Sequence, residues 1–401
     1  MYVIYCRTFQ WVMKLAVNFL DWSEPQLLQG ANSLRELPAL IKSLGLKKLL
    51  IVTDRELMRL GLPQPLFQGL EQAGVAFAVF DETCQNPTIE NIERARKRYL
   101  DESCDALVAF GGGSPMDCAK GVGARLVRPT KSLAQLRGLL KIRRRLPPFF
   151  AVPTTAGTGS ETTLAAVVTD PEAQEKYPMN DPALRPKYAV LDPLLTIGLP
   201  KHITAATGMD ALTHAVEAFI GRSNTKNTEA RALEAVRLIF ANLETVYEDG
   251  KNLPAREAML RASYFAGIAF TRAYVGYCHA VAHKLGGLYH VPHGLANAIL
   301  LPHVLDYFGE SAQARLALLA KAAGIAKQGQ SQAELAAAFI EAIRGMNRRM
   351  GIPEGFECIR EADIPEIIDA AFKEAHPLYP VPKIMTRADC AALLLRLRMD
   401  G

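Results

Sequence analysis

Residues 106–114, ALVAFGGGS, decide how the first half of the chain reads. A run of Ala, Leu, Val and Phe too short for a helix enters three consecutive glycines, and a helix-like segment with Asp117 and Lys120 follows. A continuous apolar run closed by glycine suits a strand buried on both faces. The pattern recurs at 48–53 (KLLIVT), 75–80 (VAFAVF), 149–152 (FFAV) and 188–191 (YAVL), each closed by Asp, Gly or Pro. Amphipathic stretches lie between them, such as 88–100 with Thr88 as its N-cap. Strand, helix, strand, repeated, predicts a parallel sheet with crossover helices.

Beyond about Pro200 the texture changes. Apolar residues recur at three- and four-residue spacing through 205–220, 228–247 and 255–271, and strand-like runs become scarce. The expected architecture is an α/β domain with a parallel sheet over 1–200 and an all-helical domain over 201–401. The cleft between the halves is the expected site.

Composition narrows the function classes. Of 401 residues, 49% are hydrophobic and 22% charged, which excludes disordered, collagen-like and coiled-coil chains. With 46 basic against 41 acidic residues, the net charge of +5 is too mild to predict a nucleic acid or an anionic membrane as partner. A local cluster of Arg137, Lys141, Arg143, Arg144 and Arg145 has no interleaved aromatics and reads as a solvated helix face or loop. Seven scattered cysteines without a CxxC pair fit a reducing compartment. The first twenty residues, interrupted by Arg7, Lys14 and Asn18, lack the form of a signal peptide, and a cytoplasmic location is expected.

Three loops at strand ends carry nucleotide chemistry. Gly111-Gly112-Gly113-Ser114 lets backbone N–H groups approach a phosphate at a helix N-terminus, although the spacing is not the usual dinucleotide fingerprint. Asp54 closes the 48–53 run, where a carboxylate can meet ribose hydroxyls or cap a helix. Residues 153–161, PTTAGTGSE, offer small hydroxyls and glycines at the same sheet edge.

Five of the eight histidines fall between 279 and 303. Asp210 and His214 stand one helical turn apart, with Glu217 on the same face, away from the apolar stripe of Met209, Leu212, Val216 and Phe219. His279 and His283 form a second such pair, and Pro292-His293-Gly294 follows. HxxxH suggests a zinc protease, but the general-base Glu of that motif is replaced by Ala280. A carboxylate with several imidazoles from separate elements suits a divalent transition metal. His290 and His303 read as structural, and His202 and His376 as surface residues.

Taken together, GGGSPMDCAK, PTTAGTGSE, GMDALTHAVEAF and HAVAHKLGGLYHVPHGLANAILLPHV resemble the iron-containing (type III) alcohol dehydrogenases, with the lactaldehyde reductase-like branch nearest. The resemblance runs from about Met13 to the end. It implies NAD as cofactor and Fe²⁺, or Zn²⁺, held by Asp210, His214, His279 and His293, with His283 beside the nicotinamide as the catalytic histidine. It implies Asp54 near the adenosine ribose and Gly112, Gly113 and Ser114 at the pyrophosphate, with Asp117 assigned to the same cofactor site. Thr154, Thr155 and Thr158 would lie on the nicotinamide side, with Asn86 and Lys176 at further cofactor positions. Phe270 would line the substrate pocket. The branch has an Asn four residues after the Glu of the PTTAG loop, and here that residue is Ala165, which favours a simple alcohol or aldehyde over a diol. The resemblance makes 1–200 a dinucleotide-binding α/β domain and 201–401 a helical metal-binding and substrate domain, and the implied activity is hydride transfer between NAD(H) and a small alcohol or aldehyde in a homodimer or higher homo-oligomer. The alternatives are a glycerol (polyol) dehydrogenase-like enzyme and a metal-dependent hydrolase that uses no nucleotide.

Overall fold

A computed structural model describes residues 1–173 and 175–399. The chain forms two compact units, Asp21–Gly198 and Leu199–Gly401 together with Met1–Leu20.

In the Asp21–Gly198 unit, six parallel strands form one sheet: β1 (Gln26–Gln29), β2 (Lys48–Val52), β3 (Ala76–Phe80), β4 (Ala106–Gly111), β6 (Phe149–Pro153) and β9 (Tyr188–Leu191), in the order β1-β9-β6-β4-β2-β3. The register is continuous, with Ile51 opposite Val108 and Val108 opposite Phe150. Side chains alternate between the two faces. Leu50, Val52, Leu107 and Ala109 pack with Ile92, Ala119 and Val122 on one face. Leu49, Ile51, Val108 and Phe110 pack with Leu37, Ile41, Leu66 and Leu70 on the other. Every one of these residues is fully buried. Each such aliphatic or aromatic side chain contributes roughly 1.5–3 kcal/mol, which is why the central strands read as unbroken apolar runs.

The chain leaves β2 for β3 on one side and leaves β4 for β6 on the other. The strand order therefore reverses at the carboxyl ends of β2 and β4, the place where open α/β sheets bind ligands. Three short strands, β5 (Gly138–Leu139), β7 (Ala165–Asp170) and β8 (Glu175–Asn180), make a second sheet in the order β5-β8-β7, with β7 and β8 antiparallel. The basic cluster flanks β5, with Arg137 just before it and Lys141, Arg143, Arg144 and Arg145 in the irregular loop after it, and Arg137 pairs with Glu175.

The other unit is helical. Among its described residues, β pairing is limited to an isolated bridge between Phe356 and Arg398. The helix Lys201–Ile220 is buried on every side from Gly208 onward and packs against Lys226–Glu248, Leu253–Ala273 and His293–Phe308. Side-chain caps start several of the helices: Thr225, Ser331 and Thr386 each complete a capping box. The N-terminal helix Tyr2–Ala16 turns polar groups inward: Gln10 Nε2 donates to the carbonyls of Pro377 (3.0 Å) and Tyr379 (2.8 Å). Among the described residues, no helix is long and apolar enough to cross a membrane, and all seven cysteines are free.

Candidate functional site

The helix Lys201–Ile220 carries Asp210, His214 and Glu217 on one buried face, at 3%, 5% and 4% exposure. Two further helices, Tyr277–Tyr289 and His293–Phe308, bring His279 and His293 to it. Asp210 Oδ1 lies 3.9 Å from His279 Nε2 and 3.5 Å from His293 Nε2. One ligand atom from each of Asp210, His279 and His293 lies within 4.8 Å of the others. An ion about 2.0–2.2 Å from each such atom would hold ligands at comparable mutual distances. His214 stands alongside, its Nδ1 4.0 Å from Asp210 Oδ2, with its ring stacked between Phe270 (4.1 Å between centroids) and His279 (4.4 Å).

Close backbone approach makes this convergence possible. A Cβ on Gly294 would sit 2.3 Å from the carbonyl oxygen of Ala206 and 3.3 Å from Asp210 Cβ. Only glycine lets the start of the His293–Phe308 helix touch the Asp210 helix so closely.

Hydrogen bonds orient the ligands. Glu217 Oε2 accepts from Gly276 N–H (2.7 Å) and from His279 Nδ1 (2.6 Å), while Oε1 accepts from Cys278 N–H (2.8 Å). A carboxylate can only accept, so the His279 proton is on Nδ1 and the Nε2 lone pair faces Asp210. That Nε2 is buried with no hydrogen-bond partner, an orphaned acceptor that a cation would satisfy. Asn297 donates from Nδ2 to Asp210 Oδ1 (2.7 Å) and stands 3.2 Å from His293 Nε2.

The charges suit a metal. Burial pushes the His279 imidazole well below its usual range, with His214 and His293 adding to the shift, so it is neutral at pH 7. Burial likewise brings His293 down to about 4, against the attraction of Asp210. Burial alone would raise Asp210, but His214, His293, His279 and the Asn297 amide hold it below the ordinary carboxylate value. The donor set is thus one carboxylate and neutral imidazoles, which suits Fe²⁺ or Zn²⁺.

His283 lies one turn beyond His279, its ring stacked on His293 with centroids 5.0 Å apart. Its Nδ1 is 2.8 Å from Glu374 Oε1. His376 differs from its expected surface position. It is 8% exposed, and its Nε2 lies 2.6 Å from the hydroxyl of Tyr277. The carbonyls of Pro377 and Tyr379 beside it are held by Gln10, and the rings of Tyr2, Tyr277 and Phe372 pack against the imidazole.

The candidate cofactor residues lie in the Asp21–Gly198 unit. Gly112, Gly113 and Ser114 open the helix Gly113–Val127 directly after β4. Thr154 N–H donates to the Gly111 carbonyl (3.2 Å), so the glycine turn and the threonine loop abut. A Cβ on Gly112 or Gly113 would meet Thr155 Oγ1 at 3.3 Å or Thr158 Cγ2 at 3.1 Å. Asp54 caps the helix Arg55–Arg59, accepting from Leu57 N–H through Oδ1 (2.9 Å). Asn86, at φ 57°, donates its N–H to Ser114 Oγ (3.2 Å). Lys176 is on β8, and burial lowers its pKa.

Asp117 turns into the protein, accepting from Val167 N–H (3.2 Å) and Ser160 Oγ (3.3 Å). Burial raises it to about 6, against the pull of Lys120. Lys120 is fully buried, and its Nζ meets five oxygens of the 160–165 segment: Ser160 O and Oγ, Thr163 O and Oγ1, and Ala165 O, at 2.7–3.1 Å. It ties the threonine loop to the glycine-turn helix. Sequence reasoning missed this brace, together with Asn297, Glu374 and the orienting role of Glu217. Of these, Asn297 was readable as the i+4 neighbour of His293.

Comparison with known proteins agrees across both units. Residues 25–193 match the family model of iron-containing alcohol dehydrogenase, and residues 204–397 match that of the Fe-containing alcohol dehydrogenase family, C-terminal. The chain belongs to the iron-containing alcohol dehydrogenase family. It is 41% identical over 367 residues to a 1,3-propanediol dehydrogenase of Klebsiella pneumoniae, covering 90% of this chain and 95% of that protein. It is 34% identical to an NAD-dependent methanol dehydrogenase of Bacillus methanolicus, covering 92% and 97%. It is 35% identical to a lactaldehyde reductase of Escherichia coli (strain K12), covering 86% and 91%. Among solved structures, a 1,3-propanediol oxidoreductase superposes with a TM-score of 0.91 at 38% identity, covering 94% of this chain and all of that one.

Proposed function

We infer that this chain is an NAD(H)-dependent alcohol dehydrogenase and aldehyde reductase. Its metal is Fe²⁺, with Zn²⁺ the alternative occupant, held by Asp210, His279 and His293 and completed by His214. The observation that carries this reading is the meeting of a carboxylate with imidazoles held neutral by burial, one with a buried, unpartnered nitrogen. When bound, the cation supplies Lewis acidity and the nicotinamide carries the hydride.

The chain's own residues do the rest. Glu217 and Asn297 fix the ligand orientations. His283 takes a proton from the alcohol hydroxyl, or returns one to the aldehyde oxygen, through Nε2, since its Nδ1 is engaged with Glu374. Phe270, stacked on His214, narrows the pocket towards small substrates. Backbone N–H groups of Gly112 and Gly113 and the Ser114 hydroxyl bind the pyrophosphate at a helix N-terminus. The second oxygen of Asp54 serves the ribose, and Thr154, Thr155, Thr158, Asn86 and Lys176 line the remainder. Asp117 contributes through the loop it anchors.

The substrate is a short primary alcohol or its aldehyde, with Ala165 removing a polar partner for a second hydroxyl. The glycine turn at a helix N-terminus and the threonine loop abutting it favour this reading over a hydrolase that uses no nucleotide. We place the protein in the cytoplasm, in keeping with its free cysteines, and as a symmetric homodimer or larger homo-oligomer.

Anaerobic metal analysis, NADH fluorescence titration and a coupled screen of short alcohols, diols and aldehydes test the reading. Asp210→Ala and His293→Ala should lose metal and activity together, whereas His283→Ala should keep metal and lose rate. Normal metal content in both ligand variants refutes the ligand assignment.

A further inference from the structure

We propose that Glu374 is the positioning residue for His283, that Tyr379 holds Glu374 in turn, and that the N-terminal helix clamps the segment presenting Tyr379. The inference rests on the reading of His283 as proton carrier given above.

His283 lies in the helix Tyr277–Tyr289, and Glu374 near the end of the helix Ile364–Ala375, which packs against it. Glu374 Oε1 is 2.8 Å from His283 Nδ1 and accepts the Tyr379 hydroxyl at 2.7 Å. Two donors thus converge on one carboxylate oxygen. Because that oxygen can only accept, the neutral imidazole carries its proton on Nδ1, and Nε2 is left as the basic nitrogen. The ring is further confined by stacking on His293 and by an edge contact with His279, centroids 6.1 Å apart. The His283 and Glu374 side chains are 39% and 28% exposed. A pair so open to water adds little to stability. The contact therefore sets the orientation and tautomer of His283.

Tyr379 is itself held. Its N–H donates to the Ala375 carbonyl (2.7 Å), and its carbonyl accepts from Gln10 Nε2 (2.8 Å). Arg7 donates to the carbonyls of Val381 (2.7 Å) and Pro382 (2.9 Å) just beyond. This outer clamp comes from the helix Tyr2–Ala16, which precedes the span matched by the family model.

The test compares the full-length parent with Glu374→Ala, Glu374→Gln and Tyr379→Phe. Nitrogen NMR of the imidazoles is read on the diamagnetic Zn²⁺-loaded proteins, with His283 assigned by its loss in His283→Gln. The parent should show Nδ1 protonated and Nε2 without a proton. Glu374→Ala should mix the two tautomers and lower kcat roughly 10–100-fold, with KM within about threefold and metal content unchanged. Glu374→Gln keeps an amide oxygen that accepts both donors, so it should restore the parent tautomer and most of the lost rate. Tyr379→Phe keeps the ring and should give a smaller fall of about 3–10-fold. A parent-like tautomer and kcat in Glu374→Ala, or a Glu374→Gln variant as slow as Glu374→Ala, overturns the proposal. A parent without NAD(H)-dependent turnover sinks the role given to His283, and the tautomer measurement then judges the Glu374 contact by itself.

Discussion

Replacing Glu217 by alanine should both loosen the helical unit and weaken its hold on metal. The substitution removes the acceptor of three buried donors: Gly276 N–H, Cys278 N–H and His279 Nδ1–H. Each orphaned donor costs about 1–3 kcal/mol. Part of this is offset because burial already disfavours the charge of Glu217, pushing its pKa up. A net loss of about 3–5 kcal/mol is expected, which for a unit of this size lowers Tm by roughly 10 °C. His279 also loses the partner that fixes its tautomer, so metal affinity should fall about 10–100-fold. Glutamine separates the two effects. Its oxygen can replace Oε2 and keep Gly276 and His279, while its amide nitrogen then faces the Cys278 N–H. Glu217→Gln should therefore cost only about 1–3 kcal/mol and leave metal affinity near the parent value. Calorimetry and anaerobic metal titration read both quantities. An alanine variant that melts within 2 °C of the parent (about one kcal/mol at most) and binds metal equally well would refute the orienting role.

Lys120→Met leaves five oxygens and two carboxylates without their shared cation, and should cost about 3 kcal/mol, a fall of roughly 6–12 °C in Tm by calorimetry, together with weaker NADH binding. Gly294→Ala drives a methyl group into the Ala206 carbonyl, so the His293 helix must shift, and metal titration should show at least about tenfold weaker binding. Protons compete with the metal only where the empty site's imidazoles take them up, and burial sets that point at about 4 for His293 and well below the usual value for His279. Competition from these two imidazoles should accordingly begin only below the ordinary imidazole value of about 6.5 as pH falls from 7. A tenfold loss already at pH 6, measured by metal-buffered titration, would contradict this.

The sheet was legible because its central strands are buried on both faces and leave unbroken apolar runs, as in β2 and β4. Edge elements leave no such mark. β1 reads QLLQ with both ends exposed, and β8 carries Pro178 within its pairing with β7. The meeting of Asp210, His279 and His293 could be anticipated because helical spacing puts ligand types on one face, whereas their orienting partners could not. Glu217 reads as part of an ordinary polar face until the fold buries it. Glu374 is separated from His283 by 91 positions and has no local pattern to announce it. His376 misled for the same reason: the Tyr277 and Tyr2 side chains that pack on it come from distant parts of the chain.

The sealed ammonium of Lys120 has a practical consequence. Amine-reactive reagents that modify surface lysines at once will meet this one only in molecules whose hydroxyl-rich loop has swung open. Its labelling rate, followed by mass spectrometry, therefore acts as an internal clock for that opening, and a dinucleotide that grips the loop should slow the clock.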